Sequence, residues 1–341
     1  MSLPGNYGLR SLLLFARIAL IFLSIFSASN TLSAQTNEPI DSGSYIINMG
    51  VVPQTIENGL KPYGLVYDLI HTHGIQIKWV INPTKGKDGI DFSHDGTDYR
   101  GGPFIVPALY RSAAVDATIA AWNAKGVVGA ETVSEIVVPV YSNLNYFVIW
   151  TLDELNGKIA EDYFANAEIP ETAYNWLDPL ELSCCNDIFI MPHADPDWSS
   201  HSRLYYWNES EENGGCRGAI WAGCHAVSAM EAVFNPMDPT EQMNFLSSDP
   251  GLILWKDHKN GTLPYTYNYH SDPIMQFMGS MDDAIKGGSE QIFIPETSWR
   301  SSTSLGMIDP DHPEALGPEQ IASPLAWGRG LGDEDRGYVV Y

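Results

Sequence analysis

Two short stretches carry the residues best suited to chemistry. "GAIWAGCHAVSAME" (218–231) holds Cys224, His225 and Glu231, and "DIFIMPHADP" (187–196) holds His193 and Asp195. A thiol becomes a nucleophile when an imidazole within hydrogen-bond reach takes its proton and a carboxylate orients that imidazole. Cys224 supplies the thiol, His225 or His193 the imidazole, and Asp195 or Glu231 the carboxylate. Gly223 permits a close approach before the turn, and a helix starting at Cys224 would aim backbone N–H groups at the sulfur, lowering its pKa and holding an oxyanion. The plainer reading of Cys224 is an inert thiol buried at a strand end, because free cysteine is among the most buried residue types.

Such a site needs a scaffold that delivers two strand ends to one rim. Both stretches are apolar strands followed by small and polar residues, and in a parallel sheet their ends share the edge where ligand crevices form. Around them, short apolar runs alternate with amphipathic ones, which predicts an α/β fold: a doubly wound, mostly parallel sheet flanked by helices, flavodoxin-like, with loop insertions. "YIINMGVV" (45–52), "GLVYDLIHTHG" (64–74) and "IQIKWVI" (75–81) read as strand, helix and strand of one βαβ unit. Residues 82–102 read as a long polar loop, and 113–124 as a helix. A second run follows: strand 146–150, helix 157–167, short strand 172–174, strand 187–191, helix 199–212, strand 219–223 and the helix after Cys224. Past Pro236 the pattern loosens into loops, with strands at "SEQIFIP" (289–295) and "GYVVY" (337–341). The expectation is one domain over 35–341, with a sub-boundary near 140.

The run from Tyr146 to Met230 resembles the class I glutamine amidotransferase-like superfamily, in its intracellular-protease-like and trehalose-utilisation-like branch. There one strand ends in a Pro-Gly-Gly turn and the next in Cys-His-Gly, the nucleophile elbow. "MPHAD" (191–195) takes the first place and "GCHAV" (223–227) the second, so the resemblance implies Cys224 as nucleophile with His225 beside it. His193 and Ala194 replace the paired glycines, and Ala226 replaces the glycine after Cys-His. In many members a further histidine follows a late strand. "RGYVVY" (336–341) is similar to that strand and stops where the histidine would come, so the chain reads as cut short at its C-terminus. Caspase-like and gingipain-like cysteine peptidases are also similar, and in that comparison His193 and Cys224 form the dyad.

The N-terminus reads as a secretory signal over 1–34: Arg10 and Arg17, the apolar run "IALIFLSIF" (18–26), then small residues up to Ala34. The run is short of the roughly 20 residues a spanning helix needs, so no membrane insertion is expected after cleavage. The 341-residue chain is 44% apolar and carries 42 Asp and Glu against 18 Lys and Arg, a formal charge of −24 that argues against a nucleic-acid partner.

Export implies an oxidising compartment for Cys184, Cys185, Cys216 and Cys224. One cysteine of the first pair falls near Cys216 at the sheet edge away from Cys224, and the expected pairing is Cys185 with Cys216. Asp88, Asp91, Asp95 and Asp98 lie in one glycine-bearing stretch suited to calcium, or simply solvated. For zinc, His193, Asp195 and His225 lack any supporting ligand motif, and no other cofactor is expected. "YTYNYHSDP" (265–273) offers rings for a sugar or aromatic ligand, or for packing a loop.

The expected function is an exported, secreted, periplasmic or cell-surface thiol-dependent hydrolase acting on an amide or acyl bond of a small molecule, peptide or glycan. The alternatives are a non-catalytic surface or carbohydrate-binding module, and a cysteine peptidase using His193 and Cys224.

Overall fold

The computed structural model describes residues 36–253, 261–280 and 291–341. The signal expected over 1–34 and the start of the strand expected over 289–295 lie outside the described residues. Asn37 to Tyr341 build one unit around two large sheets.

The first sheet is assembled from β1 (Thr36–Ile40), β2 (Tyr45–Ile47), β3 (Ile77–Val80), β6 (Phe104–Val106), β7 (Gly129–Glu131) and β8 (Ile136–Leu144), in the order β1-β8-β3-β6-β2-β7. The pairings from β8 through to β7 are all antiparallel. Alternation along the strands sorts the core onto two faces. Tyr45, Ile47, Phe104 and Val106 meet helices α1 (Lys61–His73) and α2 (Ala113–Asn123), while Ile46 and Ile105 join Phe92 and Tyr99 behind. Helix α1 carries Pro62 in its first turn, buries Leu65, Val66, Leu69 and Ile70, and ends at Gly74 in the left-handed conformation (φ 62°).

Phe92 and Tyr99 belong to a hairpin, β4 (Ile90–His94) and β5 (Thr97–Arg100), inside the stretch expected to be a loop. The Asp95-Gly96 turn between them has both φ values positive (47° and 73°), the two-residue connection that Asp-Gly favours. The acidic spacing masked a hairpin signal.

The second sheet holds β9 (Trp150–Asp153), β10 (Tyr174–Leu177), β11 (Ile188–Met191), β12 (Ala219–Ala222), β15 (Thr266–Tyr267), β16 (Ser304–Asp309), β17 (Ala322–Arg329) and β18 (Tyr338–Val340). A small separate ribbon, β13 (Phe234–Asn235) with β14 (Asp238–Gln242), lies between them in sequence. Strands β10, β9, β11, β12 and β18 run parallel in that order, and β17, β16 and β15 continue the sheet antiparallel. Phe189, Met191, Ile220 and Ala222 pack on α4 (Trp198–Asn208) and α5 (His225–Met230). Ile190 and Trp221 point the other way, toward the face that carries Ala160 of α3 (Lys158–Asn166).

These sheets correct the expected doubly wound, mostly parallel, helix-flanked architecture. The first sheet is antiparallel from β8 to β7, and the second is mixed. The βαβ pattern over 45–81 is real in sequence, yet β6 inserts between β2 and β3 and pairs antiparallel to both. Residues past 236, read mostly as loops, supply three antiparallel strands of the second sheet. Among the described residues no helix is long and apolar enough to cross a membrane.

Candidate active site

The register of β11 and β12 places the site. Met191 pairs with Ala222, so Pro192-His193 and Gly223-Cys224 leave the sheet side by side at one rim. The Gly223 N–H donates to the Met191 carbonyl (3.2 Å). A Cβ at Gly223 would stand 3.0 Å from the Pro192 carbonyl oxygen, so the two turns approach as closely as they do because this residue is glycine.

Cys224 follows at φ 52°, ψ −134°, a conformation costly for a residue with a side chain, and α5 starts at the next residue. Strained backbone between a parallel strand and a helix lifts a side chain clear of the sheet, which is the geometry of a nucleophile elbow. The His193 Nδ1 lies 3.3 Å from Cys224 Sγ. The rings of His193 and His225 meet edge to face, their centroids 5.2 Å apart, so both imidazoles border the sulfur's surroundings. His193 is exposed and Cys224 half-buried: the pair opens to solvent at the imidazole and is walled on the sulfur side.

Burial pushes the Cys224 thiol above the ordinary cysteine range, the His225 backbone N–H pulls it partly back, and the Asp195 carboxylate adds a smaller upward push. This direction opposes the lowering expected from a helix start. Helix α5 has only six residues, and its field does not outweigh desolvation of the sulfur.

Asp195 is exposed, and among the described residues its carboxylate makes no hydrogen bond to His193 or His225. Glu231 does something else. It is 1% exposed at the end of α5, accepts from the Leu246 and Ser247 N–H groups (both 2.9 Å), and also takes the hydroxyls of Ser247 and Tyr341. Burial raises its pKa although all four donors pull down. Glu231 ties α5 to the 246–247 segment and to Tyr341, a structural task. Gln291, which the sequence gave no reason to single out, is buried and brings its Oε1 within 4.0 Å of Cys224 Sγ. It comes from a segment remote in sequence, so no local spacing could have revealed it.

At the opposite rim the disulfide joins Cys184 to Cys216, Cα atoms 5.0 Å apart. The expected partner, Cys185, is free and exposed. The rim was right and the neighbour wrong: the 183–186 turn, closed by Asn186 N–H on the Ser183 carbonyl, sends adjacent side chains to different sides, and Cys184 is the one facing the Cys216 loop.

The four aspartates do not converge. Asp91 is buried, accepts from the Asn82 and Gly102 N–H groups and pairs with Lys85 at 2.7 Å. Asp88 pairs with Lys87, Asp98 with Arg100, and Asp95 forms the hairpin turn. Among the described residues no three His, Cys, Asp or Glu side chains are grouped to hold a metal ion, His193, Asp195 and His225 included. The 265–273 aromatics pack: Tyr265 is in a core cluster with Trp327, and Tyr269 meets the Trp327 ring at 5.5 Å. No family model, no curated protein and no solved structure matches the chain.

Proposed function

We propose that the protein is an exported thiol-dependent hydrolase of amide or acyl bonds, with Cys224 as nucleophile and His193 as its proton partner. The observation that carries this reading is the 3.3 Å contact between His193 Nδ1 and a Cys224 sulfur set on strained backbone at the rim of a parallel sheet segment. His193 takes the thiol proton while Sγ attacks the carbonyl carbon, and the oxyanion that forms is met by the His225 N–H. The carbon–leaving-group bond breaks as His193 returns the proton to the leaving amine or alcohol, leaving a thioester. Water, losing a proton to His193, then cleaves the thioester and restores the thiol. Because burial holds the thiol proton tightly, the reaction depends on His193 and speeds up as pH rises.

The disulfide suits an oxidising compartment and supports export. His193 as partner is also the dyad of the cysteine-peptidase reading, so a peptide is the substrate to try beside small amides and esters.

The test compares Cys224 with Cys185 in one molecule. Peptide mass spectrometry after brief iodoacetamide treatment, and after p-nitrophenyl acetate, should show carbamidomethylation and a transient acetyl thioester at Cys224, both reduced in His193→Ala while the labelling of Cys185 is unchanged. Equal labelling of Cys224 in parent and variant, with no acetyl adduct, sinks the reading in favour of a non-catalytic module.

A further inference from the structure

At the rim opposite Cys224, α1 and the segments entering β9 and β10 enclose a groove of about 370 Å³ that nothing above uses. Its wall is a run of rings. Tyr67 stacks on His71 (centroids 5.2 Å) and meets Phe147 at 4.9 Å, and Phe147 meets Trp150 at 5.6 Å. Tyr146 stands at the mouth, 75% exposed.

Two residues lining the groove carry hydrogen-bond donors with no acceptor among the described residues. Tyr67 is only 7% exposed, yet among the described residues its hydroxyl makes no hydrogen bond, and it is not sealed from solvent. The indole N–H of Trp150, which lines the groove, donates to no acceptor among the described residues, a state it shares with Trp176, Trp198, Trp221 and Trp327 elsewhere in the fold. What sets the groove apart is that two open donors belong to residues lining one aromatic depression, where a ligand's oxygens would satisfy both.

Charge narrows the ligand. Among the described residues no Asp, Glu, Lys or Arg lines the groove, on a chain of formal charge −24. Anions meet the protein's repulsive field with no local cation to hold them. A cation would find ring faces, but no carboxylate and no use for open donors. A neutral ligand with an apolar face and hydroxyl oxygens on its edge satisfies both features, and a pyranose ring has that build: C–H groups to set against aromatic faces, oxygens to accept.

We infer that this groove is a binding site for neutral pyranose glycans, held against the Tyr146–Phe147–Trp150 wall with sugar oxygens on the Tyr67 hydroxyl and the Trp150 indole N–H. Asn145 and Thr172 extend the polar edge. The site shares no residue with the Cys224 rim, and its existence does not depend on hydrolysis there.

Calorimetry and saturation-transfer NMR on the full chain, with cellotetraose, maltotetraose and tri-N-acetylchitotriose as probes and choline as the cationic competitor, test it. At least one sugar should bind, and Tyr146→Ala should weaken that sugar about tenfold, since truncating an aromatic anchor commonly exceeds 1 kcal/mol. Tyr67→Phe, which removes one oxygen and keeps the ring packing, should weaken it about threefold or more. Cys224→Ala should bind as the parent does, which separates this site from the catalytic reading. Absence of binding for all three sugars at millimolar concentration, choline binding in their place, or unaltered sugar binding in both Tyr67→Phe and Tyr146→Ala would overturn the inference.

Discussion

Strands β11 and β12 lie side by side and treat their two ends in opposite ways. Just before both strands start, Cys184 and Cys216 are locked together, and the chain around them is tied down by Trp207 Nε1 on the Ser183 carbonyl and the Cys216 N–H on the Trp207 carbonyl. Just after both strands finish, the sulfur of Cys224 stays uncrosslinked, its backbone sits at φ 52°, and an exposed imidazole stands 3.3 Å away. The same register sets both spacings. One rim spends the proximity of two strands on stability, and the other holds strain and a titratable pair facing solvent. Strain of this kind clusters at functional sites, and the contrast between the two rims is what motivates the role proposed for Cys224.

The largest expected effect breaks the chemical rim. His193→Ala should slow acetyl transfer to Cys224 about a hundredfold or more, the scale of losing a positioned general base, while Cys185 in the same molecule alkylates as before. If Cys224 in the variant keeps the parent's rate, the two rims differ only in crosslinking.

The structural rim comes next. Cys184→Ala with Cys216→Ala opens a crosslink spanning 32 residues, and the lost chain-entropy constraint should lower unfolding free energy by about 3 to 4 kcal/mol in urea titrations. Cys185→Ala, exposed and unbonded, should change it by no more than about 0.5 kcal/mol. A loss on Cys185→Ala as large as that of the double variant would return the pairing to Cys185.

What the sequence made legible follows from where the information sits. The strand–helix alternation from 150 to 230 is local: runs such as "DIFIM" and "AIWA" are too short and apolar for anything but buried strands, and their succession put His193 and Cys224 at one rim. The antiparallel first sheet was hidden because periodicity reports which residues are strand but not which strand lies beside it, and β6 slots between β2 and β3 from 24 or more residues downstream of β3. Strand β17 is held by pairing with β18 and β16 by pairing with β17, partners set by the fold rather than by the glycine and proline around them. At the site, the thiol and imidazole were legible as residue types. Gln291 was not, because its approach is tertiary, and Glu231 misled, because a carboxylate that orients an imidazole and one that caps a buried loop look alike in sequence.

Strain at the chemical rim can be measured by comparing two replacements. Glycine is ordinarily less stable than alanine in folded structure, but at φ 52°, ψ −134° the order should invert. Cys224→Gly should exceed Cys224→Ala by about 1 kcal/mol in unfolding free energy, and both should lack the acetyl adduct. The usual order, alanine above glycine, would mean the turn carries no strain and the two rims are alike in backbone as well.

The smallest effect decides what Asp195 is for. Its carboxylate favours the neutral thiol, so Asp195→Asn should move the alkylation profile of Cys224 to lower pH. At a pH below the thiol's pKa, where rate follows the thiolate fraction, the variant should react about twofold faster, and the gap should close in 0.5 M salt because the carboxylate is exposed and screened. At high pH, where the thiolate is fully formed in both proteins, the rates should agree. An orienting carboxylate predicts the reverse sign: its loss would slow Cys224 at every pH and leave a deficit that salt does not remove. Faster labelling thus keeps a two-residue dyad at this rim, and slower labelling makes Asp195 its third member.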